Sequence, residues 1–143
     1  MFSNGRKTIG LFIFNPKGDF QGEVCRSLSV RAEQLGYNLA VFSSYGAYGT
    51  KGSGYKDGEM MIYDLPDYDK FDGIVLALDT FSIEKAKEQV LDYIKKYAKC
   101  PVVSLREPLE GVHNILIREE TSMEKVTRHI IEDHGKKDIA FMS

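Results

Sequence analysis

Three stretches of this chain are dominated by apolar residues. Ile9–Phe14 ("IGLFIF") stops at Asn15-Pro16, Tyr37–Ser43 ("YNLAVFS") runs towards glycine, and Asp72–Leu78 ("DGIVLAL") stops at Asp79. Apolar runs of this length between turn residues mark strands buried on both faces, as in parallel sheets. Pro101–Leu105 ("PVVSL"), His113–Arg118 ("HNILIR") and Asp138–Ser143 ("DIAFMS") add three further predicted strands. Helical stripes lie between them. Phe20, Val24, Leu28, Ala32 and Leu35 share one face, and Gly36 stands where a C′ glycine closes a helix. Ile83, Ala86, Val90, Ile94 and Tyr97 trace a second stripe, with Ser82 as N-cap and Lys95 and Lys96 at the negative end of the dipole. Thr121 and Glu124 read as a capping box opening a third helix, with Met123, Val126 and Ile130 on one face and Gly135 at its end. "MMIYDLPDYDKF" carries one short helical turn before Pro66.

Strands that alternate with helices and are apolar on both faces predict an α/β fold: a doubly wound, mainly parallel sheet flanked by helices and joined by right-handed crossovers. The whole chain, 1–143, reads as a single domain. Ligands of such sheets bind at the carboxyl ends of the strands. Those ends hold Asn15, Asp19 and Phe20, then Ser43, Ser44 and Tyr45, then Asp79 and Thr80, Arg106 and Glu107, and Arg118 and Glu119. A polar, charged rim with rings in it suits a small polar ligand that is hydrogen-bonded and stacked.

The remaining composition mostly removes alternatives. A net charge of −2 with no Lys/Arg cluster gives no case for nucleic acid or an anionic membrane. No run approaches the ~20 apolar residues of a membrane span, and the first apolar run is too short for a signal peptide. A soluble, cytoplasmic chain is therefore expected. Cys25 and Cys100 form no C-x-x-C pair and read as reduced, buried thiols.

The stretch Gly46–Glu59 ("GAYGTKGSGYKDGE") invites a phosphate-loop reading and fails it. Lys51 precedes Gly52 where a P-loop needs Ser or Thr. Gly52, Gly54 and Gly58 follow the second strand, whereas a dinucleotide fingerprint belongs in the first strand–helix turn, and "NPKGDF" there has one glycine. A mobile surface loop is the expectation, and no cofactor is expected. His129 and His134 are five apart, off a shared helix face, and His113 opens a strand, so no metal site is expected. No G-x-S-x-G elbow is present and no Cys lies near a predicted His. A phosphoacceptor receiver would need acids after the first strand, which "FIFNPKG" lacks. Asp79, Glu107 and Glu119 leave open a small doubly wound hydrolase or transferase that uses rim carboxylates.

"FDGIVLAL", "CPVVSL" and "RHIIEDHGKKDIAFMS", in that order after "KTIGLFIF", resemble the sensor domain of LacI/GalR-type regulators, which is related to periplasmic sugar-binding proteins. Asp72-Gly73, Pro101-Val102-Val103 and Gly135–Ala140 match the family's elements, and the resemblance covers roughly Lys7 to Ser143. "NLAVFSSYG", "LPDYDKFDGIVLALDTF" and "CPVVSLRE" look like a variant found in bacterial multidomain proteins, some carrying a GGDEF diguanylate cyclase module. The family's Asp-Asn after the fifth strand is Arg118-Glu119 here, and six residues stand before "KTIGLF", where the family's helix-turn-helix is expected.

The resemblance implies the first lobe of a two-lobed periplasmic-binding-protein-like fold, with residues 118–143 leading towards a second lobe outside this sequence. It implies a sensor that is not itself an enzyme. Such a sensor binds a small, sugar-like molecule between lobes, as a homodimer in the family's manner, and controls an attached output in transcription regulation or cyclic-dinucleotide signalling. Asp19 is then a polar contact and Phe20 a stacking platform. Ser44, Tyr45, Asp79, Arg106 and Glu107 complete the expected ligand contacts. A dimerisation module without ligand, using helix Phe20–Leu35 or the helix from Ile83, is the other alternative.

Overall fold

The structure is a computed structural model and describes residues 4–45 and 58–140. Its elements run β1 (Thr8–Phe14), α1 (Asp19–Gln34), β2 (Asn38–Ser44), β3 (Gly73–Ala77), α2 (Glu84–Tyr97), β4 (Val102–Leu105), β5 (His113–Ile115) and α3 (Glu119–Glu132). Single 3₁₀ turns fall at Met61–Tyr63, Tyr68–Lys70 and Leu78–Thr80. All five strands are parallel, in the order β2-β1-β3-β4-β5. The doubly wound parallel sheet expected from the sequence is therefore present.

β1 sits between β2 and β3 and supplies side chains to both faces. Leu11 and Ile13 join Ala77 on one face, with Val24, Cys25 and Leu28 of α1 packed against them. Phe12 faces the other way, into Tyr63, Tyr68, Phe71, Ile74, Leu76 and the Ala86, Val90 and Ile94 stripe of α2. The rings there stack or meet edge to face. Phe12 lies 5.2 Å from both Phe42 and Tyr68, and 6.2 Å from Phe71 at 87°. Pairs of this kind add about 0.5–1.5 kcal/mol each beyond burial.

Two glycines make this packing possible. A Cβ on Gly10 would come 3.1 Å from the Phe71 ring, and one on Gly73 would come 3.0 Å from Ile9 Cδ1. The Asp72-Gly73 pair thus has a physical role. Asp72 accepts the Thr8 N–H at 2.8 Å and returns its own N–H to Thr8 O at 2.9 Å, pinning the start of β3 to β1.

Several boundaries differ from the sequence expectation. Gly36, at φ 72, closes α1 as expected: Tyr37 N–H reaches Ala32 O and Gly36 N–H reaches Glu33 O, the two bonds of a Schellman end. Leu35 is nonetheless 52% exposed, because it caps the helix instead of continuing its stripe. The N-cap of α2 is Ile83, so the Ser82 hydroxyl stands one residue too early. α3 starts at Glu119, which puts Thr121 inside the helix and removes the capping box; Glu119 and Glu120 favour the positive end of the dipole instead. β5 ends at Ile115, three residues short. The expected last strand is irregular over residues 138–140, and 141–143 lie outside the described residues.

The glycine-rich stretch also falls outside them, at 46–57, except for Gly58 and Glu59. Among the described residues no helix is long and apolar enough to cross a membrane.

Candidate functional site

In a sheet of order 2-1-3-4-5 the crossovers leave in opposite directions on either side of β1 and β3, and the crevice between the carboxyl ends of those strands is where such sheets bind ligands. Here one side chain ties that crevice together. The Phe14 N–H donates to Thr80 Oγ1 at 3.0 Å, and the Thr80 hydroxyl donates to Ala77 O at 2.5 Å. The 3₁₀ turn Leu78–Thr80 therefore follows β3 at once and presents Asp79 beside the end of β1.

Arg106 enters the crevice from β4. Its backbone is left-handed, φ 63, a region a non-glycine residue occupies at a cost of about 1–2 kcal/mol. Surrounding bonds hold it there. Arg106 N–H donates to Ile115 O at 2.8 Å, Glu107 N–H to Leu105 O at 2.8 Å, and the fully buried Ser104 hydroxyl to Glu107 O at 2.6 Å. The turn aims the guanidinium across the strand ends. Its Nε lies 3.4 Å from Asp79 Oδ2, its Nη2 lies 3.8 Å from Glu119 Oε1, and its carbon sits 4.7 Å from the centre of the Phe20 ring. Residues from β3, β4, α1 and α3 thus converge on one cation.

Burial pushes the Asp79 carboxyl above its ordinary value; Arg106 opposes this, and the nearby charge of Glu107 adds to it. Glu107 is itself bound by Lys87 of α2 at 2.5 Å, with both side chains about four-fifths shielded. That hydrogen bond, against the cost of burial, holds the Lys87 ammonium above its usual value. On the β5 side of Arg106 a cleft of ≈ 590 Å³ opens between Pro108, Leu116, Ile117 and the Glu119–Thr121 turn.

Of the seven expected contacts, the structure gathers Phe20, Asp79, Arg106 and Glu107 into this cluster. Asp19 is exposed in the first turn of α1, next to Phe20. Ser44 and Tyr45 stand apart on the β2 side. Ser44 is 4% exposed, and both its hydroxyl (2.9 Å) and its N–H (3.2 Å) meet the Tyr63 hydroxyl, so its side chain is spent beneath the rim. Tyr45 is exposed; its N–H donates to Glu59 at 2.6 Å and Lys17 lies 5.7 Å over its ring.

Lys87, Glu59 and Tyr63 escaped the sequence reading because they lie away from the strand ends in sequence, and Lys17, in the turn after β1, was passed over. The signal for Lys87 was present: it lies in the first turn of the helix after β3, one residue from buried Ala86. A second hollow, ≈ 350 Å³, lies among Asp64, Asp67, Asp69, Tyr68, Tyr93 and Tyr97, away from the strand ends. Its acids are already engaged: Asp64 by Tyr93 and Gln89, Asp67 by Lys70, and Asp69 by Lys99.

No known family model matches the sequence, and no curated protein is similar to it. Among solved structures the chain is similar to the Lac repressor dimer bound to operator and the anti-inducer ONPF, with a TM-score of 0.58 and 12% identity. The match covers 90% of this chain and 41% of that one, so the chain spans well under half of the Lac repressor's length. At this identity the likeness is one of fold: an α/β domain consistent with one lobe of a periplasmic-binding-protein-like protein.

Proposed function

We propose that this chain is the ligand-sensing lobe of a LacI-like regulator, and that it binds a small polar, sugar-like molecule at the carboxyl edge of its sheet. The observation that carries this reading is the convergence on Arg106. A strained backbone presents one cation to a crevice, where two carboxylates hold it and an aromatic ring carries it. A planar guanidinium and acceptor oxygens beside an exposed ring face are the groups that grip vicinal hydroxyls and stack on a sugar ring.

The Lac repressor, to part of which this chain is similar in fold, is seen as a dimer bound to operator and the anti-inducer ONPF. That supports a regulatory role for this chain in transcription, with a homodimer as the assembly; an output in cyclic-dinucleotide signalling rests on the sequence resemblance alone. Sensing then works by differential affinity. A ligand that touches Arg106 and a second body together favours the closed arrangement only by as much as it binds that arrangement better.

Binding fits the site better than catalysis does. Asp79 and Glu119 lie within 4 Å of Arg106, and Glu107 bonds Lys87, so each rim carboxylate faces a cation, which supports reading them as binding groups. Calorimetry against a panel of monosaccharides, disaccharides and nucleosides tests the reading. A hit that weakens at least tenfold in both Phe20→Ala and Arg106→Ala supports it. A hit indifferent to both substitutions overturns the site.

A further inference from the structure

The carboxyl end of α3 brings two histidines together that a straight helix would separate. Residues five apart on an α-helix point roughly 140° away from each other. Here α3 ends at Glu132, Asp133 caps it, and Gly135 turns left-handed at φ 60, while Lys136 N–H reaches back to Ile130 O. His134 is thereby folded onto the last turn. Its Nε2 lies 3.1 Å from Nε2 of His129, and the rings meet edge to face with centres 4.7 Å apart. The expectation that this spacing keeps the two apart holds only for a helix that continues.

The other nitrogen of His129 is occupied. Its Nδ1 bonds the Asp133 carboxylate, which only accepts, so Nδ1 carries the hydrogen and the neutral ring keeps its lone pair on Nε2, facing His134. A carboxylate behind an imidazole is the arrangement that fixes the tautomer and orientation of metal-binding histidines. Without metal, His134 Nε2–H donates to that lone pair; a metal ion takes the place of this hydrogen, His134 then carries its hydrogen on Nδ1, and two lone pairs converge on the ion. Two imidazoles on a tetrahedral zinc, at 2.0–2.1 Å each, stand about 3.3–3.4 Å apart, so the observed pair needs to open by only a few tenths of an ångström. The negative end of the helix dipole favours a cation at the same place. Neighbouring Arg128 is turned away, paired with Glu124 and Glu132.

We propose that His129 and His134 bind a late first-row transition ion of the zinc, nickel or copper class through their Nε2 atoms. Asp133 fixes the His129 tautomer and water fills the open positions. Among the described residues no group of three His, Cys, Asp or Glu side chains could hold a metal, so the protein supplies two ligands and the site is open to exchange. It lies at the far end of a 14-residue helix from Glu119, about 20 Å from the Arg106 cluster, and is independent of it.

The test is zinc titration by calorimetry on a Cys25→Ser/Cys100→Ser background, with electron paramagnetic resonance of the copper-loaded chain. We expect one ion per chain, with affinity at least tenfold weaker in both His129→Ala and His134→Ala and unchanged in His113→Ala. Copper should show coupling to two imidazole nitrogens, falling to one in either variant. Absence of saturable binding, or binding that survives loss of either histidine, overturns the proposal.

Discussion

The Arg106 guanidinium lies 4.7 Å over the ring of Phe20, joining the end of β4 to the first turn of α1 across the strand ends between them. Phe20 is 36% exposed, so part of its ring remains open to a ligand while the cation covers the rest. The contact depends on a left-handed backbone at Arg106, and this separates stability from function at one position. Arg106→Ala and Arg106→Gly both remove the cation, yet only glycine relieves φ 63. We expect the glycine variant to be more stable than the alanine variant by about 1 kcal/mol in urea unfolding, with ligand binding lost in both. Equal stabilities would show that the backbone at this turn is relaxed.

Tyr63 supports the β2 side of the rim from below. Its hydroxyl meets both Ser44 Oγ and Ser44 N–H, and the residue is fully buried. Tyr63→Phe strands a buried donor, and a loss of about 1–3 kcal/mol is expected from the unfolding midpoint. Ser44→Ala removes one of the two contacts and leaves the backbone bond in place, so its cost should be smaller. The reverse ranking would contradict this arrangement.

Gly10 and Gly73 are set by close approach and not by φ. Gly10→Ala presses a methyl onto the Phe71 ring at 3.1 Å within a closed aromatic cluster, and overpacking of this kind costs about 1–3 kcal/mol. At Gly73 the obstacle is the tip of Ile9, the far end of a flexible side chain, so Gly73→Ala should cost less. Thermal unfolding of the two variants gives the order directly.

Asp79 makes stability depend on pH. Its folded-state pKa is raised above the ordinary 3.8, first by burial. A carboxyl with a raised folded-state pKa opposes folding once it ionises. Its penalty is absent below the unfolded value, grows as pH climbs from there to the folded value, and is complete above that. Asp79→Asn should therefore be more stable than wild type at neutral pH, with the difference shrinking as pH falls towards 4. A variant less stable than wild type at neutral pH would mean that the Arg106 pair outweighs burial.

The sheet was legible because its strands are apolar on both faces, and only a covered parallel sheet accommodates runs such as Ile9–Phe14 and Asp72–Leu78. The α2 stripe of Ala86, Val90 and Ile94 was legible for the same reason: each of the three is buried. What escaped depends on contacts distant in sequence or on backbone angles. Nothing at Ser44 reveals that Tyr63, nineteen residues on, takes its hydroxyl. An arginine gives no sign of a left-handed φ, because bonds from Ile115 and Ser104 impose it. The third helix misled in the opposite way. Its Thr121–Glu124 pattern is a proper capping box in sequence, but the helix begins three residues earlier, with Arg118 as its N-cap, and none of its residues is buried, so nothing in the fold enforces the box.

The strand-end residues themselves were readable, since parallel topology dictates where ligand groups must stand. Which of them meet was not, because the sequence does not state that β4 lies beside β3 and so sets Arg106 next to Asp79.

The central claim is that the Arg106 cluster binds a small polar ligand. Amide chemical-shift mapping of the chain during titration with a sugar panel tests it most directly, since it detects weak binding and locates it. The account predicts shifts concentrated at Asn15–Phe20, Asp79–Thr80 and Leu105–Glu107 for at least one ligand, and their disappearance in Arg106→Ala. Shifts confined to other surfaces, or a response unchanged in Arg106→Ala, would contradict it.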